Sequence, residues 1–211
     1  QAPVPGNGKV KIAPGFQIIF TANLKSEKNP ERNDPPPEVI DEFAQNNLEV
    51  SYVPPAESYD IMLARLMNPD GSIDLSDEDL HNTLPSLCKA MQEIQQGYNN
   101  RLSDTSAKLT GNMDASGKKA SLEKLTFSQR GPAAIVDGWR LERQRGTSLS
   151  FVEFLDARLQ TLLTFKVFSE KDRTLAAKLL AKEGLLRTLS AKELDLPADT
   201  FSFKAGEKWR S

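Results

Sequence analysis

"GFQIIFTANLKSEKNPERNDPPPEVIDEF", residues 15–43, passes from a dense apolar run through Thr21-Ala22-Asn23 into a long polar, proline-rich stretch. Phe16, Ile18, Ile19 and Phe20 are apolar without alternation, the pattern of a strand buried on both faces. Residues 25–36 are charged, polar or proline and read as a loop, after which Pro37 suits the first turn of a helix carrying Val39, Ile40 and Phe43. Upstream, Val10 to Ile12 follow a Gly-Asn-Gly turn and read as a short hairpin arm. Downstream, "LEVSYV", residues 48–53, alternates and stops at Pro54-Pro55, so it reads as a second strand. The first 55 residues therefore predict an α/β arrangement. Asn23 either closes a strand as asparagines commonly do, or it is a polar group held at the edge of a phosphate site.

Beyond residue 55 the periodicity turns helical. Ala56 to Met67 places Tyr59, Met62, Leu63 and Leu66 on one side, with Asn68-Pro69-Asp70-Gly71 as the stop. Ser76 and Asp79 form a capping signature for a helix bearing Leu80, Leu84, Leu87, Cys88, Met91 and Ile94, which Pro85 should kink or restart. Residues 99–124, rich in Asn, Ser, Lys, Gly and Asp, predict a mobile excursion that returns to a helix over 131–144. Two amphipathic helices follow, over 149–165 and 169–186, the second opening on a Ser169 to Asp172 capping signature. The tail from Ala191 reads as peripheral.

The 211 residues are 38% apolar, enough for a real core. No apolar run reaches a membrane span, and Gln1-Ala2-Pro3-Val4-Pro5 lacks the basic and apolar regions of a signal peptide, so a cytoplasmic protein is the default. With 27 basic and 29 acidic side chains, the net charge of -2 gives no push towards nucleic acid or an anionic membrane. The start, Pro/Gly-rich and without Met, reads as that of a fragment whose N-terminal part lies elsewhere.

Candidate chemical motifs are weak one by one. Asn68 to Asp77 imitates the middle of a calcium loop, but Leu66 stands where the first ligand belongs and Asp77 where a bidentate Glu would be, which favours a helix-to-helix turn. His81 and Cys88 share a helix face, yet nothing proposes an orienting third group, and Leu84, Leu87 and Met91 around Cys88 favour a core thiol. Asp77-Glu78-Asp79 follows no apolar strand and reads as a helix start. No metal site is predicted. The phosphate-loop pattern G-x-x-x-x-G-K-[ST] is absent, so this chain alone should not hydrolyse ATP.

Taken together, Gly8 through Asn23 resembles the sensor 1 region of AAA+ ATPases of the MoxR-like and dynein-related branch, with its hairpin, Pro-x-Phe step and apolar strand ending in Thr-x-Asn. Leu125-Thr-Phe127-Ser128-Gln129-Arg130-Gly131-Pro132 resembles the start of the lid helix that carries sensor 2. The resemblance covers roughly residues 8–150. It implies the C-terminal part of a P-loop NTPase core over 1–55, a helical lid over 56–148 and a helical extension over 149–211. It further implies that Asn23 is catalytic, orienting water or touching the γ-phosphate, and that Arg130 binds the nucleotide. ATP and Mg2+ would be held through a phosphate loop and an Asp-Glu pair upstream of this chain. A homo-oligomeric ring that remodels or matures a protein client is the implied assembly.

One departure stands out, because Glu42-Phe43 occupies the place where relatives carry an Arg-Phe finger, and Glu has the wrong sign for that task. Arg32 is an alternative finger. The competing expectation is a non-catalytic nucleotide-sensing scaffold or interaction module.

Overall fold

The computed structural model describes residues 2–4, 8–10, 36–38, 52–111 and 121–202. The chain divides into two compact units, Gln1–Val50 and Ser51–Ser211. In the first, β1 (Ala2–Val4) pairs antiparallel with β2 (Gly8–Val10), Pro3 opposite Lys9. Pro37 and Glu38 are helical, as Pro at a first helical turn allows.

The second unit is built of helices: α1 (Pro55–Leu66), α2 (Leu84–Tyr98), α3 (Asp104–Leu109), α4 (Arg130–Gln144), α5 (Phe151–Leu163) and α6 (Glu170–Lys182). These elements overturn the α/β expectation. A P-loop core needs parallel strands joined by crossover helices. Among the described residues the only strand ladder is the short antiparallel hairpin, and the rest is helix, turn and loop. The expected strand over 16–20 lies outside the described residues, and of the one over 48–53 only Tyr52 and Val53 are described. These two join no ladder and lead straight into α1. The physical reason is the proline pair. Pro54 is extended, at φ -60 and ψ 156, and a proline drives its predecessor extended too, which in sequence imitates a strand end.

Prolines and caps set the helix limits. Leu84 N–H bonds the Asp79 carbonyl in a π turn over Asp79–Thr83, immediately before Pro85. The α-helix then opens at Leu84 with Pro85 in its first turn, so the proline restarts the helix, one of the two outcomes its position predicts. Ser150 and Glu153 cap α5 reciprocally, Ser150 Oγ accepting from Glu153 N–H. Helix α6 ends in a double turn about Gly184 (φ +79), with Leu185 N–H to Leu180 O at 3.1 Å and Gly184 N–H to Ala181 O at 2.8 Å.

The core runs through all the longer helices. Met62 of α1, Leu87 and Ile94 of α2, Val136 of α4, Leu155 and Leu159 of α5 and Leu179 of α6 are fully or almost fully buried. Trp139 of α4 meets Phe151 and Phe154 of α5 with ring centroids 5.4 and 5.5 Å apart, so the helices on either side of residue 148 share one core.

Two predicted loose segments are anchored instead. Within 99–124 lies α3, capped by Ser103, and Leu102 and Leu122 are buried. Residues 112–120 of that segment lie outside the described residues. The tail beyond Ala191 is not peripheral, since Leu194 and Thr200 are fully buried. Polar residues between sparse apolar anchors made both look loose in sequence. Among the described residues, no helix is long and apolar enough to cross a membrane.

Candidate functional site

Arg130 is the first residue of α4, and its side chain is exposed. The chain reaches it through a clamped loop. Phe127 is buried, and its carbonyl accepts a hydrogen bond from the Gln95 side-chain amide of α2. Ser58 of α1 donates its hydroxyl to Gln129 Oε1 at 3.1 Å, and Gly131 N–H closes a turn on Ser128 O at 3.0 Å. Gly131 is required by close approach, because a Cβ there would sit 2.7 Å from the Phe127 ring.

These contacts fix the backbone on both sides of Arg130 while leaving its guanidinium in solvent. Arg65 pairs with Asp137, Arg143 with Asp74, Arg145 with Glu142 and Arg187 with Glu78. Arg130 has no ion pair among the described residues. The first turn of α4 holds no acidic residue and its N-cap makes no side-chain hydrogen bond, so the positive end of the helix dipole stands beside a cation that no described acid neutralises. That combination suits an anion with several acceptor oxygens.

Next to it, Phe127, Gly131, Ile135, Arg158, Leu159 and Leu162 line a groove of about 270 Å³ between α4 and α5. Arg158 lies over the Phe154 ring, 5.0 Å from its centroid. A second cavity, of about 170 Å³, is lined by Leu66, Asn68, Asp74, Trp139, Arg140 and Arg143 among others. Its charges are already satisfied. Arg143 forks onto the Asp74 carboxylate at 2.7 and 3.0 Å and holds that carboxyl below its ordinary range, and Arg140 donates to Arg65 O at 2.9 Å.

Of the remaining sequence candidates, Asn23, Arg32 and Glu42 lie outside the described residues. The calcium-like segment is a turn: Asp70 accepts from Ser72 N–H at 2.9 Å, Gly71 takes φ +82, and Asp74 belongs to Arg143. Cys88 is buried, and burial pushes its thiol up to about 11, while His81 is exposed, so the pair is no nucleophile with its base. Among the described residues no three His, Cys, Asp or Glu side chains gather to hold a metal ion.

The residues that hold this region together were invisible as motifs. Asp172 takes the backbone N–H groups of Glu123, Lys124 and Leu125, just before the Phe127 to Arg130 loop. Its predicted role was local, and it does place its own N–H on Ser169 Oγ at 3.1 Å, but its carboxylate turns away to the distant loop. Asp156 likewise binds Leu186 N–H and Thr188 N–H, at 3.1 and 2.9 Å. A partner thirty or more positions away leaves no local signal.

No family model matches the chain, and neither a curated protein nor a solved structure matches it.

Proposed function

We propose that the helical unit is the phosphate-reading, lid-like part of an ATP-binding AAA+ protein of MoxR-like kind, which passes nucleotide state on to a protein client. The observation that carries this reading is Arg130: exposed, without an acidic partner among the described residues, and mounted at the uncompensated positive end of α4 on a clamped backbone. Such a cation adds a charge-assisted hydrogen bond to a phosphate without reorganising its own support.

The described residues do not fit a magnesium site, for they contain no carboxylate cluster, and they hold no phosphate loop. The role proposed for them is therefore sensing and not hydrolysis. Coupling follows from the mounting: Ser58 of α1 and Gln95 of α2 both grip the loop before Arg130, so a force on the guanidinium reaches both helices.

The test is binding of a fluorescent ATP analogue to the full-length protein, with Arg130→Ala compared against Arg145→Ala at the other end of α4. Loss of one charge-assisted contact should weaken binding by about tenfold in the first variant and leave the second unchanged. Equal affinity in the two variants, or no nucleotide binding by the parent protein, rejects the reading. Asn23→Ala adds a separate check, since ATP hydrolysis left intact by that change would count against the AAA+ assignment.

A further inference from the structure

The groove between α4 and α5 is chemically two-faced. Ile135 and Leu159 are buried at its floor, Leu162 is half-buried, and Ala134 is exposed at its edge. At its side stands Arg158, exposed and resting on the Phe154 ring, with no acidic partner among the described residues. At the end lined by Gly131 is the N-terminus of α4, with no acid in its first turn and Arg130 as its first residue. One cation, Arg158, and a helix end without acidic residues thus border an apolar trough. That charge pattern selects against a basic or purely aliphatic occupant and favours one with carboxylates beside its apolar groups.

Size narrows the occupant further. About 270 Å³ falls just below the range usual for small-molecule and cofactor pockets, roughly 300–1,000 Å³. It suits a few aliphatic side chains inserted from a helix, the mode in which an amphipathic segment lays i, i+3 and i+4 anchors into a groove. We infer that this groove docks an amphipathic helix of a partner protein, seating two or three apolar side chains between α4 and α5 and presenting a carboxylate to Arg158. The inference stands on the groove and Arg158 and does not depend on Arg130 reading a phosphate.

Selection of a random peptide library on the full-length protein tests it, followed by fluorescence anisotropy of the enriched peptides. Enriched sequences should combine apolar residues at helical spacing with adjacent Asp or Glu. Arg158→Glu reverses the charge without touching the floor, and Ala134→Arg obstructs the trough from an exposed position, so both variants should keep the parent's melting temperature. Each should weaken the peptide about tenfold or more, as loss of a central contact does, while binding of the fluorescent ATP analogue is unchanged. Enrichment of basic or uncharged peptides overturns the proposal, as does binding indifferent to both variants. Self-association in sedimentation equilibrium that Ala134→Arg abolishes also overturns it, by assigning the groove to a second copy of the chain.

Discussion

The carboxylate of Asp172 stands 3.0 Å from the backbone N–H of Leu125, across 47 residues of sequence, and takes the N–H groups of Glu123 and Lys124 at 2.8 Å each. Three donors converge on one side chain that is 1% exposed. A carboxylate so placed does for a loop what a cap does for a helix, satisfying backbone groups that have left regular structure. Because the loop continues to Phe127 and Arg130, the start of α6 helps to position the candidate site.

Replacing Asp172 by Ala should therefore cost about 3 kcal/mol, since hydrogen bonds to a charged group are lost and backbone donors are stranded. Asp172→Asn keeps one acceptor oxygen and should cost about half as much. Urea unfolding measures both, with exposed Glu170→Ala as the control expected to lie within about 0.5 kcal/mol of the parent. Hydrogen exchange at residues 123–125 should accelerate in the same order.

Arg173, the next residue, works in the opposite direction. Its guanidinium is buried and donates through Nη1 to the carbonyls of Leu163, Leu194 and Asp195, at 3.3, 3.3 and 3.2 Å. Arg173→Met retains the stem and removes the donors, which should destabilise by about 2–3 kcal/mol. Proteolysis should then begin beyond Leu186 before α6 is cut. Simultaneous loss of both segments would mean that the arginine supports the core at large and not the tail.

These two residues mark the limit of what could be read in advance. Helices with a repeating apolar face were legible: Met62 and Leu66 in α1, Leu84 to Ile94 in α2 and Phe154 to Leu163 in α5 lie inward as their spacing predicts. Ser169 marks the start of α6 as its signature predicts, because capping is local chemistry. The α/β expectation failed where Pro54 imposed an extended backbone that pairs with nothing described. Arg130 could be singled out, but its clamps could not, because Ser58 lies 71 positions before Gln129 and Gln95 lies 32 before Phe127.

Cys88 supplies a pH prediction. Burial pushes its thiol from an ordinary 9.0 up to about 11, so the folded state holds the proton more tightly than the unfolded chain. The stabilisation is complete below pH 9 and is lost as pH rises through 11. The difference in unfolding free energy between the parent and Cys88→Ala should accordingly narrow across that window, and a thiol reagent at pH 8 should modify Cys88 only after denaturation. Rapid labelling of the native protein would contradict the burial.

Gly131 offers the sharpest test of how Arg130 is mounted. Alanine has the higher helix propensity by about 1 kcal/mol, so in an open position Gly131→Ala would stabilise the protein. Here the added Cβ meets Phe127 Cδ1 at 2.7 Å and Cε1 at 2.9 Å, and that ring is 6% exposed with its carbonyl held by Gln95. The ring cannot swing away freely, and overpacking of this kind costs about 1–3 kcal/mol. Gly131→Ala should therefore destabilise. Phe127→Leu removes the obstructing ring atoms at its own cavity cost, and the double variant should be more stable than the sum of the single changes by about 1 kcal/mol. If Gly131→Ala instead raises the melting temperature, the close approach is absent in solution and the clamped presentation of Arg130 fails with it. If the coupling is found, Gly131→Ala should also weaken the fluorescent ATP analogue while Phe127→Leu restores part of the loss, a pattern that general destabilisation would not produce.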